Sequence, residues 1–221
     1  MQCFLQNNCK TPLNRIKPLL NKLISDLQGG FVNGRHILDN VIQVQEAMHS
    51  SNLRNEKGML IRLDMANAFD RLKLSFLYQV LLSFRFDQEF VKLIQSCTVS
   101  PWIAPSVNGR LADFFQATRG LRQGCPLSPF LYILMADTLS RKLEQDMIAR
   151  AAPGLKITKD LKAINHALFV DDSLMLGGAS NRIASAFKNT FQAYCKANGA
   201  LISERKTQSI VGMQKREKFK K

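Results

Sequence analysis

The sequence predicts a sheet covered by helices, of the α/β or α+β class, and three observations support this prediction. Apolar residues make up 46 % of the 221 residues, which is enough to form a packed core. Segments with helical periodicity alternate with short apolar or alternating segments that are typical of strands. The longest uncharged apolar run, 130–136, is far shorter than the roughly 20 residues of a membrane-spanning helix, which excludes that class.

The helical segments are marked by apolar residues that recur every three or four positions. We expect residues 1–12 to be polar and irregular and a first helix to cover 13–27, before two glycines. A second helix is predicted over 37–49, followed by a polar loop at 50–57. The remaining helices are predicted at 74–84, 87–97, about 126–150 and 181–198, the last of them ending at Gly199.

Four extended regions complete the predicted sheet. Residues 58–64 form a short apolar segment that is typical of a buried strand. The pair Asn108-Gly109 lies between two extended pieces, which indicates a hairpin turn. Two strands are expected within 163–175, on either side of Asp171-Asp172, and a last strand at 209–213.

The chain is strongly basic, with 31 Lys and Arg against 17 Asp and Glu and a formal charge of +14. Such an excess favours a polyanionic partner, because Lys and Arg neutralise phosphates and release counterions. Plain solubility is the alternative interpretation of the same charge. Most of the excess is spread along the chain instead of lying in the basic tail at 214–221, which is typical of a long groove.

The five cysteines predict an intracellular protein with reduced, mostly structural thiols. Their number is odd, and no two of them have the two-residue spacing of a zinc knuckle. The first residues carry neither a basic start nor a long apolar stretch, so we expect no secretory signal.

Three aspartates stand at the ends of apolar segments. Asp64 ends the strand predicted at 58–64, and Asp171 and Asp172 lie at the tip of the 163–175 region. A carboxylate beside a buried strand is costly unless it is paired or bound to a metal. Mg²⁺ prefers one or two carboxylates plus substrate phosphates, and two such ions activate an attacking oxygen and stabilise a leaving one. The alternative is that Asp171 and Asp172 merely form a hairpin turn or cap a helix.

Five blocks, in order, resemble the reverse transcriptase domain of non-LTR (LINE-type) retrotransposons. They are QGGFVNGRHILDN at 28–40, IRLDMANAFDR at 61–71, RGLRQGCPLSP at 119–129, HALFVDDS at 166–173 and NGALISERKT at 198–207. The match covers roughly residues 13–212, and five blocks in the right order are highly specific. Val170 departs from the pattern, since the family usually has alanine before the aspartate pair.

The resemblance implies the α+β fold of a right-hand polymerase palm, in which helices back an antiparallel sheet. It assigns 58–213 to the palm, 13–57 to partial helical fingers, 1–12 to an irregular segment and 214–221 to a basic tail. The family's upstream Arg-Pro-Ile-Ser string and its thumb find no match, so we expect a domain truncated at the fingers and thumb.

The resemblance also implies the catalytic residues. Asp64, Asp171 and Asp172 match the catalytic aspartates that hold two Mg²⁺ ions, and Lys206 matches a proposed proton donor to pyrophosphate. Phe69 matches the aromatic side chain that blocks a ribose 2′-hydroxyl. The alternatives are a core aromatic for Phe69 and a solvated surface lysine for Lys206.

The resemblance also implies further residues that bind substrate. Gln123 and Gly124 match a loop that packs on the incoming nucleotide and template, and Arg35 matches a fingers residue near the template or triphosphate. Arg122 is a secondary candidate that equally suits a surface charge. An ordinary glycine turn and a solvated arginine remain the alternatives for this loop and for Arg35. His166 is interpreted as a packed or hydrogen-bonded histidine and not as a ligand.

The function implied is an RNA-directed DNA polymerase that acts by two-metal nucleotidyl transfer. Its partners would be an RNA template with a DNA primer and dNTPs, without a membrane, in an intracellular location and in the nucleus, where such elements act. Two alternatives remain at this stage: a catalytically inactive retrotransposon remnant that at most binds nucleic acid, and a two-metal nuclease that uses the same aspartates.

Overall fold

A five-stranded antiparallel sheet lies at the centre of the computed structural model, which describes residues 2–99, 102–104, 106–158 and 160–211. The helices are α1 (Gln2–Ile16), α2 (Leu20–Leu23), α3 (Ile37–Leu53), α4 (Leu74–Ser83), α5 (Gln88–Thr98), α6 (Ser128–Ile148) and α7 (Asn181–Asn198). The strands are β1 (Gly58–Ala66), β2 (Trp102–Ile103), β3 (Ser106–Val107), β4 (Arg110–Leu111), β5 (Phe115–Gln116), β6 (His166–Phe169), β7 (Asp172–Gly178), β8 (Leu201–Ile202) and β9 (Gln208–Val211).

Strand β1 is the centre of the sheet and pairs on both edges. Along one edge it runs antiparallel to β7, from the pair Gly58 and Gly178 to the pair Asp64 and Asp172. Along the other edge it pairs with β8 and β9, and β6 pairs with the outer edge of β7 through a two-residue turn. The sequence-predicted strands at 58–64 and within 163–175 are therefore confirmed as direct neighbours.

The two faces of the sheet pack on different sets of helices. On one face, Leu63 and Met175 lie in the main core, together with buried residues of α4, α5, α6 and α7. On the other face, Leu176 packs with Val44 and Ala47 of α3 in a smaller apolar cluster. Because side chains alternate between faces, burial on both sides explains why these strands are nearly continuous apolar runs.

Two helices illustrate how local sequence sets the boundaries. The Ser180 hydroxyl accepts a hydrogen bond from the Ile183 amide at the start of α7, and Gly199 ends the helix with a φ of +83°. The helix predicted at 181–198 is confirmed at both ends. Helix α6 has Pro129 in its first turn and continues into an unbroken buried run from Leu131 to Asp137, so it passes through the middle of the core.

The short hairpin of β3 and β4 also follows the sequence. Asn108 and Gly109 adopt φ values of +51° and +76°, the left-handed conformations that a two-residue turn of this kind requires. The predicted hairpin is confirmed.

The start of the chain differs from the sequence prediction. Residues 2–12 belong to α1 and are helical, so the prediction of an irregular segment at 1–12 was wrong for this part. Glutamine and asparagine interrupt its apolar periodicity, which hides the helix from pattern analysis. The single helix expected over 13–27 is likewise broken, because Pro18 introduces a 3-10 turn and α2 ends at Leu23.

Two further predictions bear on the ends of elements. Helix α3 continues through Leu53 and so includes half of the loop predicted at 50–57. The basic tail at 214–221 lies outside the described residues, as do the last two residues of the strand predicted at 209–213.

The described cysteines, at positions 9, 97, 125 and 195, are not joined by disulfides. Burial, reinforced by the neighbouring Cys125 and Cys97 thiols, raises the pKa of Cys9 to about 12. None of the helices in the described part of the chain combines the length and the apolarity that crossing a bilayer requires.

His166 ties β6 to α6 and is fully buried. Its Nδ1 lies 2.7 Å from Asn165 Oδ1, so Nδ1 carries the proton, and its Nε2 lies 2.6 Å from the Ser140 hydroxyl, which then donates. Burial, aided by the charge of Lys162, lowers the pKa of His166 to about 3. The histidine is therefore neutral and structural, as the sequence indicated.

We expect the free energy of unfolding to fall as the pH drops from about 6.5 toward 3, in part because of His166. The unfolded histidine takes up a proton near its ordinary pKa of about 6.5, whereas the folded one resists protonation until about pH 3, so protons favour the unfolded state in this window. The slope from this group approaches about 1.4 kcal/mol per pH unit. His166→Asn should flatten the dependence in urea unfolding between about pH 4.5 and 6.5.

The matched control is His49→Asn, which changes an exposed histidine on α3. It should leave the slope of the parent chain unchanged. Equal slopes for the parent chain and His166→Asn would show that the buried histidine does not control acid stability.

Candidate active site

Three carboxylates meet at one end of the central sheet. Asp64 of β1 lies directly opposite Asp172 of β7, and Asp171 lies in the turn that joins β6 to β7. Residues that stand opposite each other in an antiparallel pair place their side chains on the same face. The strand pairing thus sets Asp64 beside Asp172, and the charges of both act on Asp171 in the adjoining turn.

Two cations balance part of this charge. The Lys206 Nζ lies 3.3 Å from Asp64 Oδ2, and the Arg62 Nη2 lies 3.1 Å from Asp172 Oδ1. The Asp64 side chain is only 13 % exposed, whereas the Lys206 side chain is largely solvated. Asp171 has no ion pair among the described residues.

The electrostatics of Asp171 reflect this arrangement. Burial raises the pKa of its carboxyl group above the ordinary value, and the charges of Asp172 and Asp64 raise it further. A hydrogen bond from its own backbone and the charge of Lys206 act in the opposite direction. The cluster therefore carries more negative charge than its surroundings neutralise, and it would be stabilised by a bound cation.

The carboxylate oxygens suit a metal ion whose remaining ligands come from the substrate. In the described ranges, no three His, Cys, Asp or Glu side chains are close enough together to enclose a metal by themselves. Mg²⁺ does not require such an enclosure, because it typically takes one or two carboxylates, with phosphate oxygens and water in the remaining positions. Asp64, Asp171 and Asp172 offer only hard oxygen ligands, as this ion prefers.

A pair of aromatic side chains lies near the carboxylates. Phe69 stacks on Tyr132 of α6, with ring centroids 4.7 Å apart and an interplanar angle of 27°. Tyr132 is almost fully buried, and burial raises its pKa well above the ordinary value, with smaller contributions from other groups that include Asp171 and Asp64. Phe69 itself is partly buried, so one part of its ring packs on the core and another part faces outward.

The Gln123 loop is fastened to the segment that follows β1. The Gln123 Nε2 donates to both carboxylate oxygens of Asp70, at 3.0 and 3.2 Å. The Leu121 amide donates to the Phe69 carbonyl, and the Gly120 amide donates to the Leu72 carbonyl. Gly120 has a φ of +88°, and a Cβ there would lie 2.7 Å from the Asp70 carbonyl, so only glycine allows this close approach.

The rest of the loop faces solvent. Gly124 adopts a φ of +80° with open space around it, and Arg122 is exposed. A cavity of about 400 Å³ lies against the loop and is lined by Asp70, Arg119 and Gln123 among others. Gln123, Gly124 and Arg122 are thus held close to Phe69 by backbone hydrogen bonds and by the contact of Gln123 with Asp70, and not through Asp64, Asp171 or Asp172.

Lys206 is positioned by a turn between β8 and β9. The Ser203 amide donates to the Asp64 carbonyl at 2.9 Å, and the Lys206 amide donates back to the Ser203 carbonyl. This turn carries the Lys206 ammonium group to the edge of the carboxylate cluster.

Arg35 lies apart from the carboxylates. Its guanidinium donates to the carbonyls of Ile24, Ser25 and Gln28 and pairs with Asp26 at 3.1 Å. The side chain is only 16 % exposed, so these partners surround it in the loop between α2 and α3. Contact between Arg35 and a template or triphosphate stays a prediction.

Sequence reasoning gave no role to Arg62, Asp70 or Tyr132. Arg62 precedes Asp64 by two positions on a strand, so the two-residue period places it on the same face, and this signal could have found it. Asp70 lies in the block at 61–71, but nothing in the sequence indicates that it pairs with Gln123. Tyr132 stands in the apolar run of α6, where no pattern separates it from other core residues.

The chain matches the family model described as reverse transcriptase (RNA-dependent DNA polymerase) over residues 5–220. It is 32 % identical, over 123 residues, to the transposon TX1 uncharacterized 149 kDa protein of Xenopus laevis. It is 25 % identical, over 173 residues, to the retrovirus-related Pol polyprotein from the type-1 retrotransposable element R2 of Popillia japonica. These matches cover 56 % and 78 % of the chain but only 9 % and 27 % of the two relatives.

Solved structures show the same fold. Telomerase from Candida tropicalis, in complex with the TWJ fragment of telomeric RNA, superposes on 95 % of the chain with a TM-score of 0.65 and 14 % identity. Apo telomerase from the same organism, truncated from its C-terminal domain, superposes on 96 % with a TM-score of 0.63. The chain spans 34 % and 41 % of these two structures. Both likenesses confirm the α+β palm. The family match over residues 5–220 and the retrotransposon relatives show that this chain belongs to the reverse transcriptase family, as a domain of the LINE retrotransposon type.

Proposed function

We propose that the chain is the catalytic core of an RNA-directed DNA polymerase that joins a dNTP to a DNA primer on an RNA template. The observation that carries this proposal is the register of β1 and β7, which sets Asp64 opposite Asp172 and next to the Asp171 turn. Three carboxylates, from β1, from β7 and from the turn before β7, with a lysine at their edge, suit nucleotidyl transfer better than a structural ion-pair network.

In this proposal, Asp64, Asp171 and Asp172 would hold two Mg²⁺ ions. Bound magnesium would make the primer 3′-hydroxyl a better nucleophile and neutralise charge on the phosphates. The 3′-hydroxyl releases its proton to water and its oxygen forms a bond to the α-phosphorus, while the bond from the α-phosphorus to the bridging oxygen breaks and pyrophosphate leaves. Lys206, whose Nζ lies beside Asp64, donates the proton that the pyrophosphate takes up.

Neighbouring residues would select and hold the substrate. Phe69, anchored by its stacking on Tyr132, would exclude a ribose 2′-hydroxyl. Gln123 and Gly124 would pack on the incoming nucleotide and the template, with Arg122 as an exposed charge beside them. Gly124 leaves its side of the loop open, so a base or backbone could approach it closely.

The net charge and a structural neighbour support a nucleic-acid partner. The charge of +14 suits a template and primer that carry one negative charge per nucleotide. The neighbour from Candida tropicalis is in complex with a fragment of telomeric RNA, so the same fold occurs in a protein that binds nucleic acid. We place the activity inside the cell, in the nucleus.

Primer extension tests the proposal. With an RNA template, a DNA primer, dNTPs and Mg²⁺, the chain should extend the primer, and Asp171→Asn should lower the rate by about 10³-fold or more because the variant loses a charged ligand. The control is Asp113→Asn, which removes the same charge from an exposed loop near β4 and should leave the rate unchanged.

Other outcomes contradict the proposal in distinct ways. Absence of extension, together with nucleic-acid binding that weakens steeply with salt, would identify an inactive remnant. Cleavage of the template without dNTPs would identify a nuclease. Extension that survives in Asp171→Asn would remove the carboxylate cluster from the mechanism.

The raised pKa of Asp171 leads to a second prediction, about stability without metal. A folded-state pKa above the unfolded one means that the native state binds protons more tightly, so its stability falls as the pH rises through this window and stays lower at neutral pH. The Asp171→Asn variant has no ionisable group at this position, so it does not lose stability as the pH rises. Its Tm in EDTA at pH 7 should therefore exceed that of the parent chain by a few degrees.

Mg²⁺ should reverse the order of the two Tm values. The metal should raise the Tm of the parent chain by binding the native state and leave Asp171→Asn nearly unchanged. Scanning calorimetry with and without Mg²⁺ measures both effects, with Asp113→Asn as the control that should follow the parent chain. A lower Tm of Asp171→Asn in EDTA would show that the aspartate has a structural role.

A further inference from the structure

The turn that carries Asp171 contains a residue in an unfavourable backbone conformation. Val170 has a φ of +57°, in the left-handed region that β-branched residues almost never adopt. It stands at the first position of the two-residue turn between Phe169 and Asp172, where a positive φ favours glycine. Such a conformation costs on the order of 1–3 kcal/mol and persists only where the surroundings hold it in place.

The side chain of Gln28 supplies a contact that holds this turn. Its Oε1 accepts a hydrogen bond from the Val170 amide at 3.1 Å and another from the Gly30 amide at 3.0 Å. Gln28 is fully buried, and it reaches Val170 from the loop between α2 and α3, far away in the sequence. The contact therefore joins two separate parts of the chain.

The orientation of the Gln28 amide is unambiguous. Both of its backbone partners are N–H donors, so only the oxygen end of the amide can face them. The Nε2 end is buried and has no hydrogen-bond partner among the described residues. Leaving a buried donor unpaired is costly, so the two bonds to the oxygen must outweigh that cost.

The backbone around Gln28 is itself fixed against β6. The Gly29 amide donates to the Leu168 carbonyl at 2.9 Å, and the Leu168 amide donates to the Leu27 carbonyl at 2.7 Å. Asn40 of α3 adds a third bond, from its Nδ2 to the Leu168 carbonyl. Arg35 holds the Gln28 carbonyl at 2.9 Å, so the glutamine projects from a rigid support.

Gly30 brings this support close to the turn. A Cβ at Gly30 would lie 2.5 Å from Val170 Cγ2, so a larger residue would push the two segments apart. The absence of a side chain there lets the Gln28 oxygen reach the Val170 amide.

We propose that Gln28 is a positioning residue for the carboxylate cluster: by holding the Val170 amide it keeps the turn in its strained conformation and so sets where Asp171 stands relative to Asp64. The proposal rests on the proposed function for its effect on catalysis, while the contact itself can be tested without activity. Without the acceptor, Val170 would relax toward negative φ, and the next residue in the turn, Asp171, would move with it.

The test compares two variants of matched shape. Gln28→Met keeps the length of the side chain but removes the acceptor for Val170. Asn40→Leu removes the bond to the Leu168 carbonyl in the same region and leaves the Val170 amide untouched. Both variants should lower the Tm, since each removes a buried hydrogen bond.

Two readouts separate positioning from plain stability. By NMR, hydrogen exchange of the Val170 amide should be about 10-fold or more faster in Gln28→Met than in Asn40→Leu, and the Val170 Cα and Cβ shifts should leave the positive-φ range only in Gln28→Met. By calorimetry, Mn²⁺ should bind Gln28→Met about 10-fold more weakly than the parent chain, as is usual when a group supporting a metal ligand is lost. Asn40→Leu should bind Mn²⁺ like the parent chain.

A compensating change sharpens the test. Val170→Gly accepts a positive φ at no steric cost, so in the Gln28→Met background it should restore at least part of the Mn²⁺ affinity. Unchanged Val170 shifts and exchange in Gln28→Met would overturn the proposal, and so would equal loss of Mn²⁺ affinity in Asn40→Leu. If the parent chain binds no Mn²⁺ and extends no primer, the proposed function fails, and the Val170 shifts and exchange alone decide whether Gln28 holds the turn.

Discussion

The antiparallel pairing of β1 with β7 is the constraint on which the rest of the structure depends. The register that sets Asp64 against Asp172 also sets Leu63 against Ser173 and Ile61 against Met175. Because side chains alternate along a strand, a slip of one residue would move Leu63 out of the main core and turn Asp64 into it. The apolar core and the carboxylate cluster are thus fixed by the same set of backbone hydrogen bonds, and neither can be altered without the other.

The carboxylate cluster lowers the stability of the fold that carries it. Asp64 is almost buried, Asp171 ionises against burial and two like charges, and Val170 holds an unfavourable φ beside them. Lys206 and Arg62 compensate two of the three carboxylates. Both the charge and the backbone strain are only partly compensated, and both lie at one end of the sheet. This is typical of a site that a ligand completes, since at a purely structural position a substitution of the residue would remove the strain and the charge.

Local sequence predicted those parts of the structure that depend on local physics. Ser180 and Gly199 mark both ends of α7, and Asn108 with Gly109 marks a hairpin, because caps and positive-φ turns need particular residue types. The convergence of the aspartates was predicted from the resemblance of five motif blocks and not from spacing. The helix at residues 2–12 was missed, since its glutamine and asparagine residues interrupt the apolar period.

Contacts that depend on tertiary structure were beyond the sequence. Nothing in the block around Gln28 and Arg35 shows that the arginine would bind three carbonyls of its own loop, or that the glutamine would bind a backbone amide next to Asp171. Such partners are backbone groups, which every residue has, so side-chain patterns cannot identify them.

The same contacts join the segment that we expect to belong to the fingers, 13–57, to the central sheet. The loop before α3 adds a backbone bridge to β6 at Leu168, and Asn40 of α3 bonds to the same carbonyl. A rigid movement of this loop against the sheet would break these bonds and the one to Val170 together. The loop before α3 is therefore bonded to the sheet edge that carries Asp171, and the two are expected to open together rather than separately.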